Sequence, residues 1–428
     1  MISRSALLLL LLVACSGDGS GTTSIAVLDP VRTDSAGVTL LTHGPEALAR
    51  APHVTIDSTP VAVIQGSAED IEADISTILP VLFLADGRLV GRDQQRQVLV
   101  VFGADGASRQ EFGRQGAGPG EYGMIGGIVY GEGGTLLVRD YRNGRLSVFD
   151  PATGPGAEYS LSEAIGAGGS TPIGIVGDQV MLYNLNFRTD ESGAMTASPG
   201  IKAVLFDRSS GKARRTFTTG PAEPEETPRA VSVGGGTMLA VRAISIPMLQ
   251  TFPSVFAWDG RFVLSDGNAG RWEWRDTSGT LLQQLRVAYP RTAVTDKIVN
   301  DHISAQIAQI TGAAPSGSGM AMMVMGGGQV DTAEVRRSML SQPHGDSLPV
   351  FDRTQLTASG TLWVLDYPVP GRSGWAATAF DANGRILGRI VEARGEAPLV
   401  FGDDRAAFRT EDDLGIATIT VRRLVFPD

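Results

Sequence analysis

Runs of β-branched and aromatic residues, each closed by a turn rich in glycine or aspartate, recur along most of the 428 residues. Short alternating runs between such turns read as strands rather than helices. Two patterns take turns along the chain. The first is a turn followed by an apolar strand that closes on an acid: ADGRLVGRD (85–93), GEGGTLLVRD (131–140), WDGRFVLSD (258–266) and ASGTLWVLD (358–366), with VGDQVMLYN (176–184) as a weaker copy. The second is a strand running into a hairpin turn: VLVVFGADG (98–106), RLSVFDPATG (145–154), KAVLFDRSSG (202–211), RWEWRDTSG (271–279) and ATAFDANG (377–384). Asp93 and Asp140 stand as far apart as Phe102 and Phe149, so one unit is being repeated. A period of about 45 residues with several strands per unit is that of a propeller blade.

Five units are found this way, and FGDDRAAFRTEDDLGIATITVRRL (401–424) supplies a sixth that lacks an outer strand. The N-terminal AGVTLLTHG (36–44) and HVTIDSTPVAVIQG (53–66) are expected to complete that sheet, because an open ring would leave two unpaired edges. The fold class is therefore all-β: a six-bladed β-propeller closed by an N-terminal strand, with a small helical insertion. Two stretches break the rhythm. NLNFRTDESGAMTASPG (184–200) reads as a long insertion in the middle blade, and residues 288–347 carry the helices. There, TDKIVNDHISAQIAQI (295–310) opens at Thr295 as N-cap and sets Val299, Ile303, Ile307 and Ile310 on one face. Asp331 with Glu334 makes a capping box for TAEVRRSML. Between the helices, GAAPSGSGMAMMVMGGG (312–328) is apolar and Met-rich. The pair reads either as a helical hairpin on the propeller rim or as an adaptable cover over the channel mouth.

Composition agrees with many short strands and tight turns. Hydrophobic residues at 42% suffice for a large core, and glycine, 54 of 428 residues, exceeds its usual share of about 7%. A formal charge of −10 with no Lys/Arg-rich block argues against nucleic-acid or anionic-membrane binding. The first residues bear on compartment. Arg4 precedes the apolar run ALLLLLLVA (6–14), too short for the ~20 residues of a membrane span but suited to a signal peptide. The run ends in LVAC (12–15), which resembles a bacterial lipobox. The resemblance implies cleavage before Cys15 and acylation of its thiol, and Ser16 looks like the signal for the outer membrane. An ordinary signal peptide that stops at a cysteine is the other reading. Cys15 is the one cysteine, which leaves no disulfide and no thiolate metal site. The expected organisation is a signal peptide at 1–14, a flexible tether at 15–33 and the propeller at 34–428, with the insertion at 288–347.

The segment EFGRQGAGPGEYG (111–123) crowds glycines between Arg114 and Glu121. It is not a Walker loop, since no lysine and hydroxyl come after Gly120, and the strand-like MIGGIVY that comes next does not open a helix for a dinucleotide. It reads as the connection from one blade's outer strand to the next blade's inner strand, with Arg114 and Glu121 either paired or facing a ligand. Together with DSAGVTLL (34–41), FLADGRLVGRD (83–93) and VLVVFGADG (98–106), this segment resembles the six-bladed β-propeller lipoproteins of Gram-negative bacteria, whose blades are related to NHL-type repeats. The resemblance covers most of the chain from about Asp34 and implies fold and envelope location, with no catalytic residues to carry across.

Candidate chemistry centres on the strand-ending acids Asp93, Asp140, Asp266 and Asp366. Carboxylates near a central channel could hold a cation such as Ca²⁺; as turn caps they would instead accept backbone N–H bonds. Recurrence in nearly every blade favours the cap, since a site would use one special blade. His43, His53, His302 and His344 lack metal-ligand spacing and read as surface or turn residues, and no G-x-S-x-G elbow occurs. The functional expectation is a lipid-anchored envelope module that binds or scaffolds a protein or small ligand. It touches the membrane only through its anchor and needs no cofactor. The alternative is a propeller hydrolase or lyase with a Ca²⁺-assisted site in the channel.

Overall fold

Each repeated unit folds as a four-stranded antiparallel sheet, because its turns carry the residues that reverse the chain and its strands alternate toward two neighbouring sheets. The computed structural model describes residues 27–67, 74–161, 170–189, 195–207, 210, 212–219, 248–251, 254–311, 331–412 and 414–427. Among them, six sheets succeed one another around a ring as a six-bladed β-propeller. Blade 1 is built from Ile78–Phe83, Leu89–Asp93, Val98–Phe102 and Arg109–Phe112, inner to outer. Blades 2 to 5 occupy residues 125–160, 170–219, 254–287 and 351–392.

Blade 6 joins the two ends of the chain. Val400–Phe401, Arg405–Glu411 and Ala417–Val425 are joined by the N-terminal strand Thr55–Gln65, antiparallel to Ala417–Val425. The expected closure is thus made by residues 53–66. Residues 36–44 do not share in it. Val38–His43 runs parallel to Leu281–Val287 on the outside of blade 4, and Val31–Ser35 pairs with it to make a six-stranded sheet. That position buries Leu41 and His43 against the seam between blades 4 and 5. His43 is therefore no surface residue: its Nε2 donates to the Gly384 carbonyl at 2.7 Å, and burial pushes its pKa down. The tether expected over 15–33 also ends in ordered chain, since Leu28 pairs with Ile386 and Val31–Ser35 is a strand.

The core lies between blades. Trp272 of blade 4 stacks on Phe351 of blade 5 at 4.8 Å, and Trp363 of blade 5 stacks on Phe401 of blade 6 at 4.6 Å. Polar stitches repeat around the ring: Trp258 Nε1 donates to the Gly360 carbonyl at 2.7 Å and Trp363 Nε1 to that of Gly402 at 3.2 Å. Burying such aromatics contributes stability chiefly by removing apolar area from water. The indole N–H groups of Trp258 and Trp363 keep partners, while that of Trp272 is buried without one among the described residues.

Of the stretch expected as an insertion at 184–200, residues 184–189 and 195–200 belong to two paired strands of blade 3, Gln179–Thr189 and Met195–Asp207. These pair from Gln179↔Asp207 to Thr189↔Met195 with a register shift between Leu185 and Phe187, and residues 190–194 lie outside the described residues. The two helices form as expected at Asp296–Ile310 and Thr332–Leu340, with Thr295 and Asp331 as side-chain N-caps. Ile298, Val299 and Ile303 pack on Leu249, Leu348, Tyr367 and Val369, on the loops entering blades 4 and 5 and the loop after Asp366. Residues 312–328 lie outside the described residues, as do Cys15 and its flanks.

Candidate functional site

Three of the four strand-ending acids close their own turns. Asp93 Oδ1 accepts the amides of Gln95 and Arg96 at 2.8 and 2.9 Å, and its Oδ2 takes the Thr77 hydroxyl and Arg96 Nε. Burial alone would raise its pKa, but the Arg96 amide and guanidinium and the Thr77 hydroxyl outweigh that and hold it below the usual carboxylate range. Asp140, fully buried, accepts the Gly123 and Met124 amides at 3.0 and 3.1 Å as well as Asn143 N and Nδ2. Asp266 accepts from Asn268 N and Ala269 N. In blades 1 and 2 the acid thus fixes both the turn after its strand and the chain entering the blade.

The loop at 111–123 is part of that fastening. Arg114 Nε donates to Glu121 Oε1 at 2.7 Å, and Glu121 Oε2 accepts the Gly118 amide at 2.8 Å. These contacts, the Gly118 amide foremost, lower the Glu121 pKa. Arg145 of blade 2 donates to the Gly118 and Glu121 carbonyls, and Asn143 Nδ2 to that of Gly116. Gly113 and Gly120 carry positive φ values, 87° and 71°, and Gly118 does not. A side chain at Gly116 would displace Glu121 from its contacts, since a Cβ there would lie 2.0 Å from Glu121 Oε2.

Blade 5 departs from the rule. After Asp366 the chain reads YPVPGRSGW, where blades 1, 2 and 4 have QQRQ, YRNG and GNAG. There is no short turn for Asp366 to cap. Instead Arg389, on the outer strand Ile386–Glu392, reaches across Trp375–Phe380. Its Nη1 donates to Asp366 Oδ1 at 3.1 Å and to Thr378 Oγ1 at 2.5 Å, and its Nη2 to Asp366 Oδ2. The Arg389 backbone is fixed too, its N–H donating to Pro52 O at 2.8 Å and its carbonyl accepting Val54 N at 2.9 Å. Burial pushes the Asp366 pKa up against the opposing pull of Arg389. Burial works against the guanidinium charge as well, but Asp366 outweighs it and Arg389 is raised.

This pair opens into a cavity of about 500 Å³ between blades 4 and 5. Leu48, Ala51 and His53, on the strap of chain that links Val38–His43 to Thr55–Gln65, form one wall, Tyr289 and Pro290 a second, and Leu348, Val350, Tyr367 and Val369 a third. The volume falls in the range of small-molecule sites, which are mostly apolar with a few placed polar groups. Asp366 keeps 25% of its side chain accessible and Arg389 13%. Tyr289 is 8% exposed, and among the described residues its hydroxyl is buried without a hydrogen-bond partner. Burial raises its pKa well above the ordinary phenol value.

Of the residues expected to form a site, Asp93, Asp140, Asp266, Arg114 and Glu121 are thus engaged in turn and loop contacts, and Asp366 lines the cavity. The sequence reading missed Arg389, Tyr289 and the strap. Its available signal was the long proline-bearing connection after Asp366. No group of three or more His, Cys, Asp or Glu placed to hold a metal occurs among the described residues.

No family model and no curated protein matches the chain. Among solved structures it is similar to an exported protein of Bacteroides fragilis, at 9% identity and TM-score 0.47, covering 91% of this chain and 99% of that one. A member of the DUF4221 family from Bacteroides vulgatus has 10% identity and TM-score 0.46, with 88% and 100% covered. Virginiamycin B lyase of Staphylococcus aureus has 11% identity and TM-score 0.34, with 90% and 98% covered.

Proposed function

We propose that the protein is a binding module held at the cell envelope by lipid on Cys15, and that its ligand seat is the cavity between blades 4 and 5. The observation that carries the reading is the break in the acid pattern. One blade gives up its turn cap, holds the freed carboxylate with an arginine fixed on both sides, and opens it into a cavity of ligand size. The location rests on the LVAC motif; no described helix is long and apolar enough to cross a membrane. The channel-enzyme alternative relied on the recurrent acids, and those of blades 1 and 2 spend their oxygens on amides and hydroxyls.

Val391 lines the cavity and is 59% exposed, so Val391→Trp fills the mouth without disturbing the core. Thermal-shift screening of wild type and this variant against a small-molecule library tests the seat. Compounds that stabilise wild type are expected to lose their effect on the variant; stabilisers that act equally on both place the site elsewhere. Cell fractionation of Cys15→Ser tests the anchor, and retention in the membrane fraction would count against it.

A further inference from the structure

We infer that the ligand presents a neutral hydrogen-bond donor, a hydroxyl group on an apolar body, to the free lone pairs of Asp366. This rests on the cavity being the ligand seat and adds the chemistry of the molecule that sits there. Each Asp366 oxygen receives one nitrogen of Arg389, and among the described residues nothing else donates to it. A carboxylate has about four acceptor sites, so roughly half its capacity is unused. Arg389 is the less accessible partner, and its Nη1 is also committed to Thr378. Of the charged pair, it is therefore the Asp366 acceptor that faces the cavity with unused capacity.

Charge narrows the class. The pair is neutral as a unit and largely enclosed. A carboxylate ligand would meet Asp366 with no proton to share. An ammonium would come close to the Arg389 guanidinium, and the acid that should balance it is already paired. Either ion would give up its hydration without a partner of its own, which is strongly unfavourable in an enclosed site. A hydroxyl loses far less on entering and meets a carboxyl acceptor that Arg389 holds in place. The walls complete the picture: Leu48, Leu348, Val350 and Val391 offer contact to an apolar body and no charge.

The test is saturation-transfer NMR on the purified full chain with three probes of one shape: cyclohexylmethanol, cyclohexylmethylamine and cyclohexanecarboxylate. The alcohol is expected to bind at least tenfold more tightly than either ion, to lose about tenfold in affinity in Asp366→Asn, and to lose binding in Val391→Trp. A preference for the amine or the carboxylate that Val391→Trp abolishes overturns the ligand class and leaves the seat standing. Binding that Val391→Trp does not change, or no binding by any probe at millimolar concentration, overturns the seat and the inference with it. If Asp366→Asn fails to fold, the wild-type ranking of the three probes decides the class.

Discussion

Arg389 and Asp366, 23 residues apart, meet across the middle of blade 5 with Nη1–Oδ1 at 3.1 Å, where Asp140 of blade 2 meets the amides of Gly123 and Met124. The same position in the repeat has two uses. In blade 2 it fastens backbone, and in blade 5 it holds a charged pair at a cavity wall.

The two uses predict opposite mutational profiles. Asp140→Ala takes the acceptor from the buried Gly123 amide and from the part-buried Met124 and Asn143 amides, and is expected to cost about 2 kcal/mol, with ligand binding unchanged in the folded fraction. Arg389→Leu strands a carboxylate that is partly accessible, so the loss is expected near 2–3 kcal/mol, below the ~3–5 of a fully buried pair. Chemical denaturation of both variants checks this. Equal binding losses in the two would erase the distinction.

Ring closure predicts a graded response to N-terminal deletion. Removing residues 27–44 strips the added hairpin from blade 4 and leaves Thr55–Gln65 in blade 6. Removing 27–67 opens the ring and exposes the edge of Ala417–Val425, which pairs with that strand from Thr418↔Gln65 to Val425↔Thr55. At about 0.5–1.5 kcal/mol per hydrogen bond, the longer deletion removes a large part of a typical ~5–15 kcal/mol stability. It should aggregate or melt far lower than the shorter one, and matching melts would contradict the closure.

Within the loop at 111–123, glycines are expected to matter more than charges. Gly113 has φ 87° and a Cβ there would lie 2.7 Å from the Tyr122 ring, so Gly113→Ala should cost about 1–3 kcal/mol. Gly116→Ala should disrupt the Glu121 contacts outright. Arg114→Gln, on a side chain 79% exposed, should melt close to wild type. Thermal melts run side by side settle the order. A wild-type melt for Gly113→Ala, with a binding loss for Arg114→Gln, would make the loop a site.

Acid stability should depend on Asp93. Its folded pKa lies below the usual value, so its contribution is present above the ordinary carboxylate range and is lost as pH falls through the lowered value. Asp366 is shifted the other way, and its contribution falls as pH rises through the raised value. Asp93→Asn is therefore expected to flatten the loss of stability between about pH 5 and pH 2. An unchanged slope in denaturation curves across that range would rule out Asp93 as a source of the acid sensitivity.

Much of the ring was legible because the blades reuse the same local signals: a turn and an apolar strand, followed in blades 1, 2 and 4 by an acid that caps the next turn. The closing strand was legible for a related reason, since the last unit visibly lacked its outer member. Val38–His43 joining blade 4 was not, because a parallel strand added to an outer edge has no turn to announce it. The strap helix Ala47–Arg50 is too short to show a period. Asp366 could be picked out, but not its partner: Arg389 lies on a different strand and is one of many arginines until the fold brings it across Thr378. Within 111–123 the crowding of glycines was legible, but not that Gly113 and Gly120 are the ones that take positive φ.

Whether ligand binds where blade 5 breaks the repeat can be seen in a crystal structure of the protein soaked with neutral hydroxylated fragments. Fragment density is expected between Tyr289 and Val391, with an oxygen within hydrogen-bond distance of Asp366. Fragments gathered in the central channel, with none at Asp366, would contradict a ligand seat between blades 4 and 5.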